Sequence, residues 1–168
     1  HFGSEVFFLP NLLEIKSNPL TTFGGGKYML IEFSILNIPN IQRQLLYELK
    51  LSGVTPIIAH PERYLPVQDN ISMVTNWLEA GCLIQVDAGS ILGKFGNKSK
   101  LASERILKNG WWQIVGSDAH NNRNRNFCLN ESFALVINWV GKDGEKMFNE
   151  NPKKIIEGSQ IHVDFEYN

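Results

Sequence analysis

The feature that most restricts what this chain can fold into is an alternation of two patterns. Short, nearly continuous apolar runs rich in β-branched and aromatic residues recur at 5–9, 27–33, 54–60, 82–86, 112–116 and 160–163. Runs of that length and continuity suit strands covered on both faces, the situation of a parallel sheet. Between them, apolar residues return at helical spacing. Ile38, Ile41, Leu45, Leu46 and Leu49 predict a helix with Pro39 near its first turn and Gly53 just past its end. Ile71, Val74 and Leu78 before Gly81, and Leu129, Phe133, Val136, Ile137 and Val140 before Gly141, repeat the pattern. A fourth helix is expected over 98–108, stopped by Asn109 and Gly110. Strand and helix in turn argue for a parallel sheet, either closed as a barrel or open and doubly wound.

The 168 residues, 43% of them hydrophobic, can fill one core, so a single domain over 1–168 is expected. Lys plus Arg number 16 against 17 Asp plus Glu, and this balance supplies no general field toward nucleic acid or an acidic membrane surface. Any bound anion must be caught locally. No apolar run approaches the ~18 residues of a membrane span, so no membrane insertion is expected. Cys82 and Cys128 sit in apolar stretches without CxxC spacing and read as buried free thiols, which fits a reducing cytoplasm. The glycine-rich loop at 21–26 lacks the lysine and helix start of a phosphate-cradling P-loop and reads as a mobile turn. The chain opens on His1 and runs almost directly into Val6, Phe7, Phe8 and Leu9, like the inside of a strand, so a preceding segment is expected to be missing.

The polar residues fall at informative places. Glu32 closes the strand run "YMLIEF", His60 closes "VTPIIAH", and Asp118 and His120 follow "QIVGSDAH". In parallel β/α architecture the C-terminal strand ends converge on one face, where active sites are built. Taken singly, each has a structural explanation: a surface carboxylate at a strand exit, a hydrogen-bonded histidine before Pro61, a helix N-cap. Taken together they form a mixed imidazole and carboxylate set suited to Mn²⁺, Zn²⁺ or Fe²⁺. Arg63 and Arg125 stand beside this set as a possible bidentate clamp for phosphate oxygens, with Arg123 competing for the second position and an exposed, solvated arginine as the alternative for each.

The stretches "GSEV", "YMLIEF", "GVTPIIAHPERY", "AGCLIQVDAGSILGKFG" and "GSDAHN", in that order over nearly the whole chain, resemble the polymerase and histidinol phosphatase superfamily, in particular its bacterial capsule-type tyrosine phosphatase branch. The resemblance implies a distorted seven-stranded β/α barrel, here incomplete at its N-terminus and represented by its C-terminal two thirds. It implies two or three divalent ions, commonly Mn²⁺, with Zn²⁺, Fe²⁺ or Mg²⁺ as alternatives. Glu5, Glu32, His60, Asp118 and His120 would be their ligands, Glu5 bridging, and Arg63 and Arg125 would hold the phosphate. The implied partner is the phosphotyrosine-bearing tail of a bacterial tyrosine kinase that controls exopolysaccharide assembly. The family's His-x-His strand is not in this sequence, and Asp87 stands where relatives often carry a neutral amide, which argues against a role for it near the site. The cysteines lack the Cys-x5-Arg spacing of a thiol-based phosphatase. A small-molecule phosphatase such as histidinol phosphatase, and a non-catalytic barrel that binds a partner, are the competing readings.

Overall fold

The computed structural model describes residues 3–123 and 125–163. Five parallel strands, β1 (Glu5–Phe7), β2 (Tyr28–Glu32), β3 (Thr55–Ala59), β4 (Leu83–Asp87) and β5 (Ile114–Gly116), lie side by side in chain order. Each pairs with its sequence neighbour, in registers that include Phe7 with Glu32, Ile31 with Ile58, Ala59 with Gln85 and Asp87 with Gly116.

The period-2 alternation of a strand divides these side chains between two faces. Val6, Met29, Ile31, Ile58, Ile84, Val86 and Val115 point into the main core, where helices cover them. Four of those helices carry most of the cover: α2 (Gln42–Leu51), α4 (Met73–Glu79), α6 (Asn97–Lys108) and α7 (Leu129–Val140). Shorter pieces, α1 (Leu12–Ile15), α3 (Leu65–Asp69) and α5 (Ala88–Ile91), fill the turns between them. The opposite face gathers Tyr28, Ile57, Leu83 and Ile114 into a smaller cluster capped by Ile155 of α8 (Glu150–Glu157). Helix α8 was not apparent in the sequence pattern. Its end is fastened by a backbone contact between Gly158 and Gly24, both at positive φ and so close that a Cβ on either would collide with the other's backbone.

The closed seven-stranded barrel is overturned. Among the described residues the sheet is open: β1 and β5 are its edges and do not pair with each other. Residues 160–163, expected as a strand, form none; Ile161 and Val163 instead pack half-buried against the smaller apolar cluster. Side-chain burial, which alternation signals, was available to them without a ladder of backbone hydrogen bonds. The helix read from Ile38 onward starts only at Gln42, leaving Ile41 48% exposed while Leu45, Leu46 and Leu49 are buried. The overall class, α/β with a parallel sheet, is what the alternation argued.

Candidate metal centre and arginine clamp

Period-2 alternation places Glu5, Glu32 and Asp87 on the same face of the sheet, away from the main core. His60 follows β3 directly, at φ 32°, and Asp118 follows β5 at φ 42°. These are the non-glycine residues at positive φ among the described ones, and both were singled out as site residues. Backbone strain of this kind persists where surrounding structure holds it, commonly at functional sites.

His60 is fully buried, and its Nε2 lies 3.5 Å from Glu32 Oε1 and 3.7 Å from Glu5 Oε2. Ligand atoms of Glu5, Glu32 and His60 all fall within 4.8 Å of one another. Neither ring nitrogen of His60 has a hydrogen-bond partner among the described residues. A buried imidazole with no hydrogen-bond partner, its Nε2 facing two carboxylates, is a suitable arrangement around a divalent cation. Burial, and then the charge of Glu5, raise the Glu32 carboxyl above its ordinary pKa. Burial disfavours the charged form of His60, but the Glu5 and Glu62 carboxylates outweigh it, and its pKa moves up. A cation at this point would reverse both effects by meeting the carboxylate charges directly.

Tyr64, the last residue of "HPERY", sets the spacing of this group. Its hydroxyl accepts from Phe33 N at 3.0 Å and donates to Ala59 O at 2.6 Å, so one buried phenol ties the ends of β2 and β3 beside Glu32 and His60.

Next to this trio lies a second cluster. Arg63 Nη1 donates to Asp118 Oδ2 at 2.5 Å and stands 3.5 Å from Asp87 Oδ2. Arg125 Nη2 donates to the same Asp118 oxygen. Both guanidinium groups sit over the ring of Phe95, with Cζ at 4.6 Å for Arg63 and 5.7 Å for Arg125. The loop carrying Arg125 is closed by Asn121, whose Oδ1 accepts from the backbone N of Arg123 and of Arg125. Within that loop Arg123 is exposed, while Arg125 turns inward. The structure therefore brings Glu5, Glu32 and His60 together and places Asp118 with the arginines. His120 is mostly exposed, its Nδ1 2.9 Å from Asp118 O and outside the trio.

Two buried acids lie beside this cluster, Asp87 against Arg63 and Glu62 against Asp87, and the sequence reading assigned neither to the site. Asp87, which the family pattern argued away from the site, is fully buried beside Arg63; its Oδ1 accepts from Gly89 N, and burial raises its carboxyl despite that bond and the arginine. Glu62 accepts from Asp87 N at 3.0 Å and is pushed up to about 7 by burial and by the Asp87 carboxylate. Asp87 closes its strand run as Glu32 does, so the same strand-end signal was there to find it. Glu62 and Phe95 carried no such signal.

An open parallel α/β sheet that collects carboxylates, an imidazole and two guanidinium groups at its C-terminal strand ends defines the class: an α/β protein with a candidate divalent-metal site beside an anion clamp. The chain belongs to the CpsB/CapC family of capsular polysaccharide synthesis, whose profile matches residues 1–157. It is 33% identical to the tyrosine-protein phosphatase YwqE of Bacillus subtilis over 148 residues, covering 88% of this chain and 58% of that protein. It is 35% identical to the putative tyrosine-protein phosphatase CapC of Staphylococcus aureus over 134 residues, 79% of this chain and 52% of the relative. Its fold matches a chain from the crystal structures of YwqE from Bacillus subtilis and CpsB from Streptococcus pneumoniae, described as metal-dependent tyrosine phosphatases. That match has TM-score 0.88 and 31% identity, over 95% of this chain and 65% of the solved one. The chain thus spans between half and two thirds of these relatives' length. No helix among the described residues is long and apolar enough to cross a membrane.

Proposed function

We propose that this chain serves metal-dependent hydrolysis of phosphate monoesters, with protein phosphotyrosine as substrate, in the control of capsular or exopolysaccharide synthesis. The observation that carries the reading is the buried His60, without a hydrogen-bond partner and facing Glu5 and Glu32, beside two converging arginines. The relatives named as tyrosine-protein phosphatases support the choice of ester.

Glu5, Glu32 and His60 would hold the ion, proposed as Mn²⁺, with Asp118 and His120 joining the ligand set. A divalent ion here supplies Lewis acidity toward a phosphoryl oxygen and lowers the pKa of water. The chain's own contribution is orientation and charge. Arg63 and Arg125 already point at one oxygen, that of Asp118, and a phosphate competing for that position would receive their charge-assisted hydrogen bonds. Donors fixed in advance around the equatorial oxygens favour the charge that develops there during transfer. Phe95 beneath both guanidinium groups, and Asp87 behind Arg63, limit their movement. Cys82 and Cys128 are buried free thiols. The proposed partner is the phosphotyrosine-bearing tail of a bacterial tyrosine kinase, met in the cytoplasm.

The test is hydrolysis of a phosphotyrosine peptide and of histidinol phosphate by the chain with Mn²⁺, Zn²⁺ and Mg²⁺, alongside metal content. Preference for the peptide with loss on chelation supports the reading. Metal binding without turnover of either ester favours a binding domain, and preference for histidinol phosphate favours a small-molecule phosphatase.

A further inference from the structure

A trough begins at Arg63 and leads away from the metal ligands. Its first part, about 450 Å³, is lined by Ile35, Arg63, Leu65, Gln68, Phe95 and Lys98 among others. Its second part, about 320 Å³, is lined by residues including Gln68, Ile71, Lys98, Leu101 and Arg105. Gln68 and Lys98 line both, so the two parts adjoin. Gln68 also fastens the banks, its Nε2 donating to Glu62 O at 2.9 Å and to Ser99 Oγ at 3.1 Å. The near bank is held in place by Leu65 N, which donates to Ile35 O at 2.8 Å.

We propose that this trough holds the polypeptide flanking the phosphorylated tyrosine and favours acidic residues there; the proposal rests on the reading of Arg63 and Arg125 as the phosphate clamp. Three observations carry it. The trough is continuous with that clamp through Arg63 and Phe95. Large apolar side chains that line it are left exposed, Ile35 at 40%, Leu65 at 42% and Leu101 at 52%, as a surface that a partner would cover. Its charge beyond the clamp is one-sided: Lys98 and Arg105 face it against Asp69, and neither makes an ion pair among the described residues, whereas Arg63 is met by Asp118 and Asp87. Lys98 and Arg105 are two turns apart on α6, about 10 Å along the axis, which matches roughly three residues of extended chain. A small phosphate ester would reach the clamp and leave this length uncovered.

The test measures binding to the chain in Mn²⁺ buffer by calorimetry. Ligands are inorganic phosphate and, with the ester replaced by a non-hydrolysable phosphonate, the N-acetyl phosphotyrosine amide, a phosphotyrosine hexapeptide with three acidic flanking residues, and its neutral counterpart. The acidic hexapeptide is expected to bind about tenfold more tightly than the amide. Leu65→Ser and Lys98→Glu, both at exposed positions, should remove most of that gain while leaving affinity for inorganic phosphate unchanged. Equal affinity for hexapeptide and amide, or a gain that survives both substitutions, overturns the trough. Hexapeptide binding that is lost in Lys98→Glu, with no binding of inorganic phosphate, keeps the trough and overturns the clamp; no binding of any ligand overturns both.

Discussion

Arg63 Nη1 donates to Asp118 Oδ2 at 2.5 Å, joining the turn after β3 to the segment after β5 across the face where the strands end. Arg125 meets the same carboxylate oxygen from the other side. One acid therefore gathers two guanidinium groups, and a phosphate would have to take over those contacts.

Arg63→Ala is accordingly expected to lower phosphotyrosine hydrolysis by roughly a hundredfold, as for the loss of a group that stabilises transition-state charge. Metal content measured on the same preparations should stay nearly constant, because Arg63 donates and cannot ligate. Metal loss that accounts for the whole defect would show that the arginine acts structurally.

Glu32→Gln removes one of two carboxylates facing His60. Calorimetric titration with Mn²⁺ should show affinity reduced by at least about tenfold. The rise in melting temperature that Mn²⁺ confers should shrink in step, since an ion bound only by the folded state stabilises it by mass action. Unchanged affinity would remove Glu32 from the ligand set.

Tyr64→Phe deletes the hydroxyl that bonds both Phe33 N and Ala59 O. With two buried backbone groups losing a partner, a cost of about 1–3 kcal/mol is expected in denaturant unfolding. Mn²⁺ affinity should also fall, although Tyr64 is not a ligand, because the β2 and β3 ends would no longer be held at one separation. Stability loss with unaltered Mn²⁺ affinity would mean that Glu32 and His60 are positioned by the sheet alone.

Burial pushes the Cys82 thiol up to about 12, with Lys50 opposing only in part. A folded pKa above the unfolded value near 9 means that the contribution to stability is complete below pH 9 and is lost as pH rises toward 12. At pH 9 an alkylating reagent should therefore leave Cys82 unmodified in the folded chain and label it on unfolding in denaturant. Rapid labelling of Cys82 under native conditions would contradict its burial.

The alternation of apolar runs and helical stripes was enough to place five strands and the helices α2, α4, α6 and α7, because each signal is local: two residues per strand repeat, 3.6 per helical turn. The same locality put Glu32, His60 and Asp118 at strand ends. It could not separate residues 160–163 from a strand, because an apolar run reports burial and not the partner that supplies backbone hydrogen bonds. Asp87 carried the strand-end signal but was judged by its departure from a family pattern, and only its burial beside Arg63 shows what it touches.

What the sequence by itself determined is therefore the parallel α/β class, the face on which the polar residues gather and the membership of Glu32 and His60 in one group. Tertiary structure alone decided that the sheet is open, that Asp118 accepts from both Arg63 and Arg125, and that Glu62 lies buried against Asp87. The physical reason is range. Periodicity is set between neighbours along the chain, whereas edge pairing and the direction of a charged side chain depend on groups 25 to 55 residues away, such as Glu62 with Asp87 and Arg63 with Asp118.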